Sequence, residues 1–160
     1  MFTGPEFVNT LESLGITHVV WIPDTAIGPW ESALESHPAI RLVRVCREGE
    51  AWTLAAGLHL GGATPLVVIQ NTGLFESGDA MRNALFDLAL PLYSLIGYRS
   101  YLIPDSPDTA KKFTEPVLKA WGLDYVLIDS PEVQGRFAEH YRACLAAGKP
   151  GVTLLAEGRM

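Results

Sequence analysis

Six short apolar runs, each preceded or followed by a stretch of helical character, constrain this chain more than any other feature. The runs are "HVVWIP" from His18, "IRLVRVC" from Ile40, "PLVVIQ" from Pro65, "LYSLIGY" from Leu92, "DYVLID" from Asp124 and "GVTLLAE" from Gly151. Most lack the polar alternation of a half-exposed strand, so they read as strands covered on both faces. Between them lie "PWESALES", "GEAWTLAAGLHL", "SGDAMRNALFDLAL", a helix near "TEPVLKAWG", and "EVQGRFAEHYRACLAAG". The chain opens on a further helix, "TGPEFVNTLESLG", with Thr3 as N-cap, Glu6 completing a capping box, Pro5 in the first turn and Gly15 at the end. Strands alternating with helices imply a three-layer α/β fold: a mostly parallel sheet of about six strands with helices on both faces.

At 160 residues the chain is long enough for one substantial core and too short for two ordinary domains, so residues 1–160 are expected to form a single domain. Charged residues make up 19%, below the roughly 25% of a typical soluble domain, which points to surface covered by a partner. The net charge of -6 and the lack of a clustered basic face exclude nucleic acid as the expected ligand. With no apolar run near the length of a membrane span and no basic-then-apolar leader, a cytoplasmic location is expected. The two cysteines, Cys46 and Cys144, read as small core residues. The four histidines are scattered without a ligand motif, so no metal ligands are assigned.

In open parallel sheets, ligands bind beyond the carboxyl ends of the strands. "PDTAIGP", "REGEA" and "QNTGLFESGD" follow the first three strands and should share that edge. The long connection "RSYLIPDSPDTAKKF" after the fourth strand is a further candidate for shaping a site. A nucleotide-binding reading fails because neither GxGxxG after the first strand nor GxxxxGK[ST] is present. A serine-hydrolase reading fails for want of GxSxG.

"REGEAWTLAAGLHLGGATPLVVIQNTG" followed by "PLYSLIGYR" resembles the pyrimidine-binding (PYR) domain of thiamine diphosphate-dependent enzymes. The likeness runs over nearly the whole chain and is greatest to the alpha-subunit type of the sulfopyruvate and phosphonopyruvate decarboxylases. In that family a glutamate nine positions before a helix glycine hydrogen-bonds the aminopyrimidine ring. Counting back from Gly57 selects Glu48 as the catalytic and cofactor-binding carboxyl, with Glu50 left as an ordinary first-turn residue. Sharing a proton with the ring nitrogen favours the imino form of the cofactor, which then activates its own thiazolium carbon. The plainer reading of Glu48, a solvated carboxylate complementing a helix dipole, fits the same position.

The resemblance also implies that Gln70, Asn71, Thr72 and Gly73 form a cofactor-binding loop, although a plain turn would look similar. Asp24 and Thr25 would lie near the substrate, or Asp24 caps a turn. Arg99 would meet an anionic substrate, or is a surface arginine at a strand end. Phe75 and Glu76 stand where the resembled decarboxylases read "QNSGLGN", and Ser100 replaces the glycine of their "GxRG". A bulkier, more acidic segment facing the substrate would disfavour a dianionic tail.

The family holds the cofactor's diphosphate and Mg²⁺ through GDG and a later asparagine, and "SGDAMRNA" does not match that pattern. The resemblance therefore implies a separate diphosphate-binding beta subunit that carries GDG and holds the Mg²⁺, in a heterotetramer or larger assembly, with this chain inactive alone. The expected function is the alpha subunit of a split thiamine diphosphate-dependent 2-oxo acid decarboxylase. A carboligase subunit of the same cofactor class and a noncatalytic α/β scaffold remain as alternatives.

Overall fold

The computed structural model describes residues 2–24 and 28–158. Helix α1, Gly4–Ser13, starts on the expected capping box: the Thr3 N–H donates to Glu6 Oε2 at 2.8 Å. Gly15, with φ of +70°, turns the chain into the first strand. The strands are β1 (His18–Trp21), β2 (Arg41–Arg44), β3 (Pro65–Gln70), β4 (Tyr93–Tyr98), β5 (Tyr125–Ile128) and β6 (Gly151–Ala156). They form one six-stranded sheet in the order β2-β1-β3-β4-β6-β5, with every neighbouring pair parallel.

The other helices are α2 (Glu31–Ser36), α3 (Glu48–Leu60), α4 (Asn71–Arg82), α5 (Thr109–Ala120) and α6 (Gly135–Ala146). Side chains that alternate along a strand sort into two cores. Val19, Trp21, Leu66, Val68 and Leu95 pack with Phe7 and Leu11 of α1, Leu34 of α2 and Phe137 of α6. Val20, Val67, Ile69 and Ile96 pack with Trp52 and Ala55 of α3, Leu74 and Met81 of α4 and Leu118 of α5. The sheet is thus the middle of three layers.

Four expectations need correction. β2 is an edge strand with exposed Arg41 and Arg44, where a strand buried on both faces was expected. Having only β1 beside it, it stops pairing at Arg44, which leaves Cys46 exposed outside the core. "QNTG" is no loop: β3 ends at Gln70 and α4 begins at Asn71, six residues before the expected start. That helix also ends in a π-turn over Asn83–Asp87. The connection after β4 is shorter than expected, because α5 begins at Thr109, with the Asp108 side chain accepting from the Ala110 N–H at 2.9 Å.

Candidate active site

Parallel pairing brings the carboxyl ends of all six strands to one edge. There α3 follows β2, α4 follows β3 directly, and α5 follows β4 after ten intervening residues. Three carboxylates sit near the first turn of α3, and their surroundings differ. Glu50 folds back, and its Oε2 accepts from the Cys46 N–H at 2.9 Å. Glu76, reaching across from α4, accepts from the Gly49 N–H at 2.8 Å and pairs with Arg47 at 2.6 Å. The Gly49 N–H first, and then the Arg47 guanidinium, hold its carboxyl below the usual range.

Glu48 is different. It is half-buried and has no hydrogen-bond or ion-pair partner among the described residues. Its side chain lies over Gly73 in the first turn of α4. A Cβ at Gly73 would stand 2.4 Å from Glu48 Cγ and 2.7 Å from Oε1, so only glycine leaves the glutamate this space. Below it the helices are pinned together: Trp52 Nε1 donates to Ser77 Oγ at 3.0 Å, and Ser77 Oγ donates to the Gly73 carbonyl at 2.5 Å. A packed, hydrogen-bonded bed therefore carries an acid group with its own oxygens uncommitted.

Of the other residues selected from the sequence, Thr72, Phe75 and Arg99 meet in one groove of about 460 Å³ that also takes in Asp108 and Phe113. Arg99 is already paired within the chain. Its Nε donates to Asp108 Oδ2 at 2.9 Å and its Nη2 to Oδ1 at 3.2 Å, and the same guanidinium holds the Asp108 carboxyl down at about 2. Ser100, in the glycine position of the family element, keeps a left-handed φ of +64°, and its hydroxyl donates to Asp108 at 3.0 Å. Glu76 lies apart from this groove in its clamp on α3. Asn71 is fully buried, with Nδ2 donating to Thr114 Oγ1 of α5 at 3.1 Å, so its amide braces two helices. Thr25 lies outside the described residues. A wider groove of about 730 Å³ along the edge strand β2 contains none of the selected residues.

Sequence reasoning missed Glu157, the first residue after β6. Its buried Oε1 has no hydrogen-bond partner. Burial first, and then the Asp24 carboxylate, push its pKa up to about 7 against the opposing effects of Gln70 and Arg99. The signal in the sequence was only an acid at the carboxyl end of a buried strand.

The sequence profile described as "Thiamine pyrophosphate enzyme, N-terminal TPP binding domain" matches residues 2–90, more than half of the chain. The chain belongs to this family. As a thiamine pyrophosphate-binding domain it is 27% identical to a phosphonopyruvate decarboxylase of Streptomyces viridochromogenes over 152 residues, covering 92% of this chain and 37% of that protein. It is 28% identical over 89 residues to sulfopyruvate decarboxylase subunit alpha of Methanothermobacter thermautotrophicus, covering 56% of this chain and 54% of that subunit. The alignments thus span between about a third and about a half of these relatives. The crystal structure of benzoylformate decarboxylase from Polynucleobacter necessarius superposes with a TM-score of 0.77 at 18% identity. It covers 98% of this chain and 30% of that one, a likeness of fold.

The thiamine-binding domain of this chain fits the cofactor's ring end on its own geometry. Glu48 is an unengaged acid packed directly over the Gly73 backbone. Gln70 and Asp24 mark the ends of two neighbouring strands at the same edge.

Proposed function

We propose that this chain is the pyrimidine-binding alpha subunit of a split thiamine diphosphate-dependent 2-oxo acid decarboxylase, with Glu48 as the carboxyl that engages the aminopyrimidine ring. The carrying observation is the contrast within one helical turn: Glu50 and Glu76 are spent on backbone N–H groups, and Glu48 is left without a partner over Gly73. Decarboxylase chemistry is supported by the relatives, both of which are named decarboxylases, and a two-chain arrangement by the one named as an alpha subunit.

When bound, thiamine diphosphate supplies the nucleophilic carbon and the electron sink for loss of CO₂. The chain's own part is to hold a proton at the Glu48 carboxyl and share it with a ring nitrogen, from a position packed on the Gly73 backbone and steadied by the Trp52–Ser77 hydrogen bond. The diphosphate and Mg²⁺ belong to a beta subunit carrying GDG and a later asparagine. For the substrate tail we favour an uncharged group. Phe75 and Phe113 line the neighbouring groove, and the Arg99 charge is already matched by Asp108.

The test is reconstitution. The chain is expected to show no turnover with cofactor and Mg²⁺ alone, and to decarboxylate 2-oxo acids once a GDG-bearing subunit is added. In that complex, Glu48→Gln is expected to lower kcat by about a hundredfold or more. A Glu48→Gln complex as fast as the wild type would defeat the reading, as would full activity of this chain without a partner.

A further inference from the structure

At the opposite edge of the sheet, where the strands begin, His140 and Cys144 lie four residues apart on α6 and therefore on one helix face. Asp124, the residue before β5, comes up beside them. Cys144 Sγ is 3.7 Å from His140 Nε2, and His140 Nε2 is 3.6 Å from Asp124 Oδ2. One ligand atom from each residue lies within 4.8 Å of the other two. Tetrahedral zinc with bonds of about 2.0–2.3 Å holds its ligand atoms roughly 3.3–3.8 Å apart. Two of the three separations are already in that range. The third closes by rotation of Asp124, whose side chain is 79% exposed.

The imidazole is aimed by its other nitrogen. His140 Nδ1 is 2.6 Å from the Tyr93 hydroxyl, which is 2.9 Å from Thr153 Oγ1. With Tyr93 donating to Thr153 and accepting from the Nδ1–H, the Nε2 lone pair is left free for an ion; Cys144 Sγ lies beside the ring, 3.9 Å from Nδ1 and 3.7 Å from Nε2, and shares that ion after turning about its Cα–Cβ bond. Metal-bound histidines are oriented in this way. Tyr93 and Thr153 are both buried, so this support is fixed by the core. Gly151 makes the room for sulfur, since a Cβ there would stand 2.5 Å from Cys144 Sγ. A groove of about 360 Å³ lined by Tyr93, Tyr141, Cys144 and Lys149 opens the position to solvent.

We propose that Asp124, His140 and Cys144 form a binding site for one thiophilic divalent cation, zinc by its set of one sulfur, one nitrogen and one oxygen, with water as the fourth ligand. On binding, the Cys144 S–H bond breaks, its proton passes to solvent and the sulfur–metal bond forms, with no change of oxidation state. The bound ion ties α6 to the turn before β5, at the end of the sheet away from Glu48. The site uses a helical H-x-x-x-C spacing and an aspartate from a distant turn, which the sequence reading left unassigned.

The experiment uses the whole chain, freed of metal and without thiamine diphosphate, titrated with Co²⁺ and then Zn²⁺. One equivalent of Co²⁺ is expected to raise a thiolate charge-transfer band in the near ultraviolet, which Zn²⁺ abolishes. Cys46→Ser should leave the band unchanged. Cys144→Ser should remove it, and Asp124→Asn and Tyr93→Phe should each weaken binding by about tenfold or more. Asp124 is exposed, so its variant remains informative if the Cys144 variant fails to fold. Absence of the band at one equivalent, its loss in Cys46→Ser, or unchanged affinity in Asp124→Asn would each overturn the proposal.

Discussion

The two ends of this sheet use polar groups in opposite ways. At the carboxyl end, three helix N-termini converge, and backbone N–H groups are abundant. Glu50, Glu76 and Asp108 are each absorbed by such groups, and Glu48 stands out because it is not. At the amino end no helix N-terminus dominates, and the polar groups Tyr93, Thr153 and His140 satisfy one another through side chains. The difference teaches that at the carboxyl end the backbone claims most carboxylates, so the acids it leaves unclaimed, Glu48 and one oxygen of Glu157, are the ones to test.

The sharpest way to break that comparison is at Glu48 and Glu50. In the reconstituted enzyme, Glu50→Gln is expected to change kcat less than about threefold, against the hundredfold loss at Glu48. Equal losses would mean that the difference in partners carries no chemistry. Next comes Gly73→Ala. The added methyl group displaces Glu48, so cofactor affinity, read by tryptophan fluorescence in the complex, is expected to fall by about tenfold. The alanine itself favours the helix by about 1 kcal/mol. Undiminished affinity would remove Gly73 from the account.

Glu157 sharpens the comparison through pH. Its folded pKa of about 7 lies above the unfolded value of 4.5, so the native state holds the proton more tightly. Its contribution to stability is fully present below about pH 4.5 and is lost as pH rises through about 7. Urea midpoints of the wild type should therefore carry a downward component between pH 5 and 7.5, and Glu157→Gln should flatten it; parallel curves would refute the assignment. The smallest effect is expected at Ser100. Glycine would relieve a left-handed strain of about 1 kcal/mol and forfeit a hydroxyl bond to Asp108 of similar worth. Ser100→Gly should then shift the melting temperature by less than about 2 °C, as differential scanning calorimetry would record.

Much of this was legible in the residues. The run from Pro65 to Gln70 forms a strand with the expected ends, because it is apolar on both faces and central in the sheet. Glu48 was selected by its register against Gly57, a resemblance that periodicity alone would not have supplied, and the structure adds only that it has no partner among the described residues. The start of α4 was missed because Gln70 stands at the N-cap without a side-chain cap bond, so the usual Ser, Thr, Asp or Asn punctuation is missing. Cys46 was misplaced because an apolar run does not reveal where an edge strand stops pairing. Glu157 and the pairing of Arg99 with Asp108 depend on chain segments that meet only after folding.

The Glu76 bridge from α4 to Arg47 and the Gly49 N–H has a mechanical meaning. It yokes the two helices that carry Glu48 and the glycine beneath it, so neither can slide along the other without breaking the strut. The spacing between Glu48 and Gly73 is therefore set before anything lands on this edge, and a ligand there need not bring the two helices together.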